Sequence, residues 1–310
     1  MNRVKKVKST FSIKDLENIS GIKAHTLRIW EKRYNLLSPK RTETNIRRYS
    51  LSSLQKLLNI TLLYKHGYKI SKIAGIDNAE LPKVVLDVTL KSNSEQVSIN
   101  ALKLAMINFD SVLFDVTFDE ILTKNDFTFI YVNVFLPIMN ELGILWQTNA
   151  ISPSHEHFLT NLIKQKIHIQ NEKAQKNLTP KDNDKVFVLY LPENEVHELS
   201  ILFLNYYILI HGFKTIFLGQ SLPTESLENI FSVNQNLVFV THLTVEPNKD
   251  VIDSYLLNFY ELILKNSTTE LAILGPQQLN INLTMLPDKI NLFNSVLSFQ
   301  AKYFKTDVFT

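Results

Sequence analysis

The chain has no cysteine, and that excludes disulfides, thiolate metal centres and cysteine nucleophiles together. Seven glycines in 310 residues are few, so loops that need the backbone pressed against a ligand are scarce. No run of 18 apolar residues occurs, which argues against a transmembrane helix and a membrane partner. The basic stretch Met1 to Lys8 leads into no apolar segment, so no signal peptide is expected and a cytoplasmic location is. Composition is otherwise that of an ordinary globular protein, with 45% hydrophobic and 20% charged residues.

The small net charge of +3 hides an uneven distribution. Residues 1–80 hold 17 Lys/Arg against 6 Asp/Glu, and the remainder holds 16 against 24. A polyanion would be drawn to the first part only. Charge alone leaves open a merely solvated basic face.

Periodicity divides the chain further. Ser12 and Asp15 have capping-box spacing before a helix carrying Ile13, Leu16 and Ile19, and Gly21 turns the chain into a second helix from Lys23 to Tyr34. Pro39 ends that helical region. Residues 40–49 are polar and basic and suit a hairpin wing, after which Ser50 or Ser52 caps a helix from Leu54 to Lys65. Residues 79–172 read as a helical bundle of four helices, and 173–185, polar and containing Pro180, as a linker. Beyond Lys185, short apolar runs at Val186–Leu191, Thr215–Leu218, Leu237–Thr241, Leu271–Leu274 and Ile290–Phe293 alternate with helical stretches. That order predicts a Rossmann-like, doubly wound parallel sheet over 186–310. The expected architecture is therefore multidomain α and α/β, with residues 1–78 forming a winged helix-turn-helix.

On the second helix, His25, Arg28 and Lys32 fall at i, i+3 and i+7 and share one stripe, with Thr26 and Arg33 beside them. Such a stripe can read base edges in a major groove, while Arg41, Arg47, Arg48 and Tyr49 on the wing would clamp phosphates. The strings Phe11-Ser-Ile-Lys-Asp-Leu, Thr26-Leu-Arg-Ile-Trp-Glu-Lys-Arg-Tyr34, Pro39 and Asn45-Ile-Arg-Arg-Tyr-Ser50 closely resemble the MerR family of regulators. The resemblance covers residues 11–75. It implies a winged-helix dimer that binds and distorts a pseudo-palindromic promoter in double-stranded DNA, with RNA polymerase as a further partner. Metal-sensing MerR members carry a cysteine site and a long dimerisation helix after the head; neither is present here.

Two histidine-bearing motifs stand out in the rest of the chain. Trp146 is followed after nine residues by Glu156-His157, and Glu195-Val-His197-Glu-Leu-Ser200 follows the first strand of the α/β half. Ligands bind at the carboxyl ends of parallel strands, so a histidine there is placed to reach a metal carried by a ligand, oriented by a nearby acid. For an isolated histidine in such a loop, a surface or capping role is the plainer reading. Taken together and in this order they resemble the cobalamin-binding module, which has a helical cap with Trp, nine residues, Glu-His, and a Rossmann-like domain with Asp/Glu-x-His-x-x-Gly. The similarity extends over 80–310 and includes Phe217-Leu-Gly-Gln-Ser-Leu-Pro223. MerR heads joined to this module form a group that includes light-sensing repressors using adenosylcobalamin.

The resemblance implies adenosylcobalamin as cofactor, His197 as lower axial ligand to cobalt, and Trp146, Glu156 and His157 on the upper face. Glu195, Ser200, Thr241 and Gly275 would be cofactor-binding as well. Three positions depart from the pattern: Ser200 stands for a glycine, Gly275-Pro276 for a Gly-Gly pair, and Thr241 or His242 for a serine. The function expected is a regulator, dimeric or tetrameric, that senses cobalamin. The alternative is a regulator whose module has lost the cofactor and serves oligomerisation or protein binding. An enzyme, such as a mutase or methyl carrier, is disfavoured by the head and by the lack of a catalytic barrel. A zinc or iron site at His155 and His157 is disfavoured because neighbours two apart do not share a helix face.

Overall fold

The computed structural model describes residues 10–91, 95–147, 151–179, 185–232 and 236–304. The chain divides into two compact units, Met1–Ile163 and Lys164–Thr310.

In the first unit, β1 (Thr10–Phe11) leads into α1 (Ile13–Ser20). The predicted capping box is formed: Asp15 N donates to Ser12 Oγ at 3.2 Å, and Ser12 N donates to Asp15 Oδ2 at 2.7 Å. Gly21, at φ 72°, takes the left-handed conformation that ends α1 without a Cβ penalty. α2 (Ala24–Tyr34) has no capping side chain of its own. Glu17 of α1 supplies one instead, accepting from Ala24 N at 3.2 Å, so the two helices share a joint. β2 (Lys40–Arg41) and β3 (Arg47–Ser50) form the wing hairpin, and β1 adds to β3 on its other edge. Ser50 caps α3 (Leu51–Lys65) through Ser53 N, which starts the helix three residues before the first strongly periodic leucine. Leu16, Ile19, Leu27, Leu54 and Leu57 are buried and fasten these elements together.

The helices continue with α4 (Ile70–Ile73), α5 (Leu81–Lys91), α6 (Glu95–Asn108), α7 (Ser111–Leu122) and α8 (Phe127–Ile130). A single π turn, Tyr131–Phe135, joins α8 to α9 (Leu136–Gln147), and α10 (Pro153–Lys176) begins in the first unit and ends in the second. Phe114, Phe118, Phe127 and Phe135 interlock in the core of these helices at centroid distances of 6.0 to 6.4 Å.

α10 runs four residues past the expected start of the linker. Its last turn, Lys173–Lys176, is polar and largely exposed, and Lys176 Nζ pairs with the Glu172 carboxylate one turn back. A helix end that buries almost no apolar side chain leaves no mark in apolar periodicity. Most of the remaining linker expectation, residues 180–184, lies outside the described residues.

The second unit continues with β4 (Val186–Pro192), α11 (Leu199–Ile210), β5 (Lys214–Leu222), a 3-10 stretch over Thr224–Ser232, β6 (Leu237–His242), α12 (Ile252–Phe259), β7 (Glu270–Leu274), β8 (Ile290–Leu292) and α13 (Val296–Tyr303). All five strands are parallel, in the order β5-β4-β6-β7-β8. Every residue of β4 is buried, as a strand covered on both faces must be. Val188, Tyr190, Phe239 and Ile273 pack on Ile252, Leu256 and Phe259 of one layer. On the other face Phe187 meets Phe213, Phe299 and Tyr303. The chain leaves β4 for one side and later returns to its other side with β6. The topological switch point therefore lies between the carboxyl ends of β4 and β6, where open α/β sheets bind ligands.

Candidate functional sites

α2 presents one edge of the head. Leu27 and Trp30 turn inward and are buried, which leaves His25, Arg28, Lys32 and Arg33 exposed and Thr26 half-buried. On the wing Arg41 and Arg48 are exposed, and Arg41 Nη1 is held by Asn45 Oδ1 at 2.6 Å across the hairpin turn. Between α2 and the wing lies a concavity of about 500 Å³ lined by Arg28, Lys32, Arg41 and Arg47, with Glu31 among them. A cationic cleft beside an exposed helix fits the phosphate backbone flanking a groove.

Tyr49 corrects one expectation. It is fully buried, and its hydroxyl donates to Glu31 Oε2 at 3.0 Å, so it faces the protein and not a phosphate. Burial and the neighbouring Glu31 carboxylate both push the Tyr49 pKa up, which keeps the phenol a donor. Arg47 Nε reaches both oxygens of the same carboxylate, at 3.1 and 3.2 Å. Glu31 therefore ties the wing to the recognition helix. An acidic residue escapes a search for DNA-contacting groups; its only sequence signal was its place in the Trp30-Glu31 string. Lys69 and Lys72, at and within α4, are also exposed and add to the positive charge of this domain.

The second site lies at the switch point of the parallel sheet. Glu195, on the loop after β4, is fully buried. Its Oε2 accepts three successive backbone N–H groups from the loop after β6: Thr244 at 3.1 Å, Val245 at 2.7 Å and Glu246 at 2.9 Å. Its Oε1 accepts from His197 N at 2.9 Å and lies 2.6 Å from His197 Nδ1. Burial works against the charge, but the N–H donors of Val245, Glu246 and His197 outweigh it and hold the carboxyl pKa at about 2. With Nδ1 engaged, the His197 ring is directed outward, its side chain 53% exposed, and Nε2 makes no hydrogen bond among the described residues. An imidazole oriented by a carboxylate through one nitrogen and free at the other has the arrangement of a metal ligand. Exposed Val196 and Val245 beside it offer apolar surface.

The remaining cofactor-binding positions are distributed around this point. Thr241 is buried near the end of β6, and its hydroxyl has no hydrogen-bond partner among the described residues. Ser200 is half-buried in the first turn of α11. Gly275 sits at φ 101°, where a Cβ would come within 2.4 Å of the Leu243 carbonyl oxygen, so only glycine fits. Pro276 opens the 3-10 turn Pro276–Asn280, the first position of a helical turn, where a missing N–H costs nothing. The one departure at this pair, Pro276, therefore fits the local backbone.

Glu156 and His157 lie in the first turn of α10, half-buried and exposed respectively, with His157 Nδ1 3.6 Å from Glu156 Oε2. Trp146 is on α9, and its side chain lies outside the described residues. His155 is buried against Phe109, while His157 faces solvent. Among the described residues no three His, Cys, Asp or Glu side chains gather to hold a metal ion by themselves.

A winged helix-turn-helix with a cationic cleft, followed by helices and a doubly wound sheet presenting an imidazole at its switch point, defines a modular protein with a nucleic-acid-reading head and a ligand-binding half. Residues 11–80 match the MerR HTH family regulatory protein, and residues 98–169 match the B12 binding domain. The chain thus carries a MerR-type head and a B12-binding domain. It is 21% identical over 224 residues to the HTH-type transcriptional repressor CarH of Myxococcus xanthus, covering 70% of this chain and 73% of that protein. With the repressor CarA of the same organism it shares 24% over 221 residues, 71% of each chain. The structure of the Methanosarcina barkeri monomethylamine corrinoid protein is similar at a TM-score of 0.53 and 12% identity. That likeness covers 67% of this chain and 97% of the other, and it speaks for the fold alone. Among the described residues no helix is long and apolar enough to cross a membrane.

Proposed function

We propose that this protein is a sequence-specific, DNA-binding transcription regulator of the MerR type that senses adenosylcobalamin through its C-terminal half. The observation that carries the sensing half is the Glu195–His197 pair, with an ionised carboxylate fixed by backbone donors and an imidazole Nε2 left open to a metal. The residues fit the cofactor. His197 would hold the cobalt, the Thr241 hydroxyl, unpartnered among the described residues, would hold a polar group of the nucleotide tail, and Trp146, Glu156 and His157 would contact the adenosyl group. The cofactor would supply a cobalt–carbon bond that light can break.

At the other end, Arg28 and Lys32, with His25, Thr26 and Arg33, would read base edges or flank them, while Arg41, Arg47 and Arg48 engage phosphate. Regulation follows if the cobalamin-loaded and free states differ in how the heads pair on a promoter, since a ligand shifts an equilibrium only by its differential affinity for two states. A homo-oligomer is part of this reading because a pseudo-palindrome needs two heads. RNA polymerase is a further partner on the same DNA, and the cytoplasm is where all of these meet.

The test is an absorbance titration of the full chain with adenosylcobalamin, in the dark and after illumination, alongside a footprint on its own upstream DNA. A saturable spectral change with His197→Ala deficient in it, and a footprint that differs between the two conditions, is the expected result. A colourless protein with an unchanged footprint would establish the cofactor-free alternative, in which the α/β half serves oligomerisation or protein binding.

A further inference from the structure

β6 ends at His242, a half-buried residue that belongs to neither histidine motif. Its Nδ1 lies 3.1 Å from Thr244 Oγ1. Thr244 in turn is the first of the three consecutive residues whose N–H groups converge on Glu195 Oε2. The other oxygen of Glu195 holds His197. A continuous chain of hydrogen bonds therefore crosses the switch point from the end of one strand to the loop of another: His242, Thr244, Glu195, His197.

We infer that His242 is a positioning residue for His197, acting through Thr244 and Glu195. This rests on the reading that His197 receives the cobalt of a cobalamin.

The physical reason lies in the loop. Three successive amides can point at one oxygen only in a narrow range of backbone conformations. Leu243 pairs with Leu274 and Gln277 through the backbone and Gln277 Nε2 holds the Val245 carbonyl at 2.8 Å, which leaves the Thr244 side chain to fix the first amide. Among the described residues, His242 is the hydrogen-bond partner of the Thr244 side chain. It thus pins the first residue of the trio to the rigid end of β6. Burial holds the His242 imidazole neutral, with its pKa lowered to about 4 although Glu195 pulls the other way. A neutral ring keeps a lone pair for the Thr244 hydroxyl. Removing the anchor would let the trio splay, weaken the donors on Glu195 and loosen the His197 ring.

The test uses the full-length protein and the variants H242F, T244V, H242N and the H242F/T244V double. Thr244→Val keeps shape and removes only the hydroxyl, and Asn at 242 places an amide where Nδ1 was. Two readouts apply. Amide hydrogen exchange of Val245 and Glu246 in the ligand-free protein reports the loop. Titration with hydroxocobalamin reports the Kd and the visible bands of imidazole-ligated cobalt.

We expect H242F and T244V each to speed exchange at Val245 and Glu246 and to weaken cobalamin binding about tenfold, the usual scale for an outer-shell partner of a metal-bound histidine. The double variant should be no worse than either single one, and H242N should stay within about threefold of the parent. Losses that add in the double variant, or an H242F protein with parental exchange and parental bands, overturn the inference. If the parent takes up no cobalamin, the sensing reading fails separately, and the exchange measurements still decide whether His242 holds the loop.

Discussion

Replacing Glu195 by Gln removes one charge from a fully buried site and keeps the shape. In the parent, one carboxylate accepts four backbone N–H groups, from His197, Thr244, Val245 and Glu246, and contacts His197 Nδ1. An amide offers one oxygen and turns an NH2 toward the remaining donors, so at least one face of the site sets donor against donor. The carboxyl pKa, held at about 2 against a reference of 4.5, states how strongly the fold prefers the charged form. That difference converts to about 3 kcal/mol at neutral pH, and to about 2 once screening by solvent at this loop is allowed for.

Because the folded pKa is depressed, this stability is complete above the unfolded value of about 4.5 and is lost as pH falls toward 2. Glu195→Gln should therefore speed exchange of the β4 and β6 amides about 30-fold at pH 7. The gap between variant and parent should close as the pH drops from about 4.5 toward 2. Hydrogen exchange resolved by residue is the assay, since it reports the opening of this sheet separately from the other unit. Parental exchange at pH 7, or a gap that persists undiminished at pH 2, would refute the assignment of Glu195 as an ionised hub.

Other changes test other parts of the argument. Arg28→Ala should relax sequence preference as well as weaken DNA binding, at about 1–3 kcal/mol for the base step it reads, whereas Arg48→Ala should weaken binding to all sequences alike and flatten its salt dependence; competition footprints at two salt concentrations separate them. Glu31→Ala strands the Tyr49 hydroxyl and frees Arg47 from α2. It should lower both thermal stability and DNA affinity, and an affinity equal to the parent's would show that the wing needs no tether. Gly275→Ala meets the Leu243 carbonyl at 2.4 Å from a left-handed backbone, so a loss of about 2 kcal/mol or more in the α/β unit is expected, read from protection of the β7 amides.

Much of this molecule is legible from neighbours in the chain. The Ser12–Asp15 box, the Gly21 turn, the wing hairpin and the five parallel strands are all encoded by residues a few positions apart. The same holds for the stripe of His25, Arg28 and Lys32, because helical period alone sets it on one side. The course of α10 beyond residue 172 was hidden because its last turn is largely exposed and carries a Glu172–Lys176 pair in place of an apolar face. Tyr49 reads as a donor on a wing, yet its hydroxyl turns inward because Glu31, 18 residues earlier, is the better acceptor.

The sequence by itself determined where most helices and strands lie, where the positive charge gathers, and that a histidine follows the first strand of the sheet. Local sterics and hydrophobic period are sufficient for these. Only the tertiary structure decided what those groups do: Glu195 is ionised because amides some 50 residues further on converge on it, and His197 turns one nitrogen outward because Glu195 holds the other. Hydrogen-bond direction and charge depend on partners that only folding brings within 3 Å, and no local pattern records them.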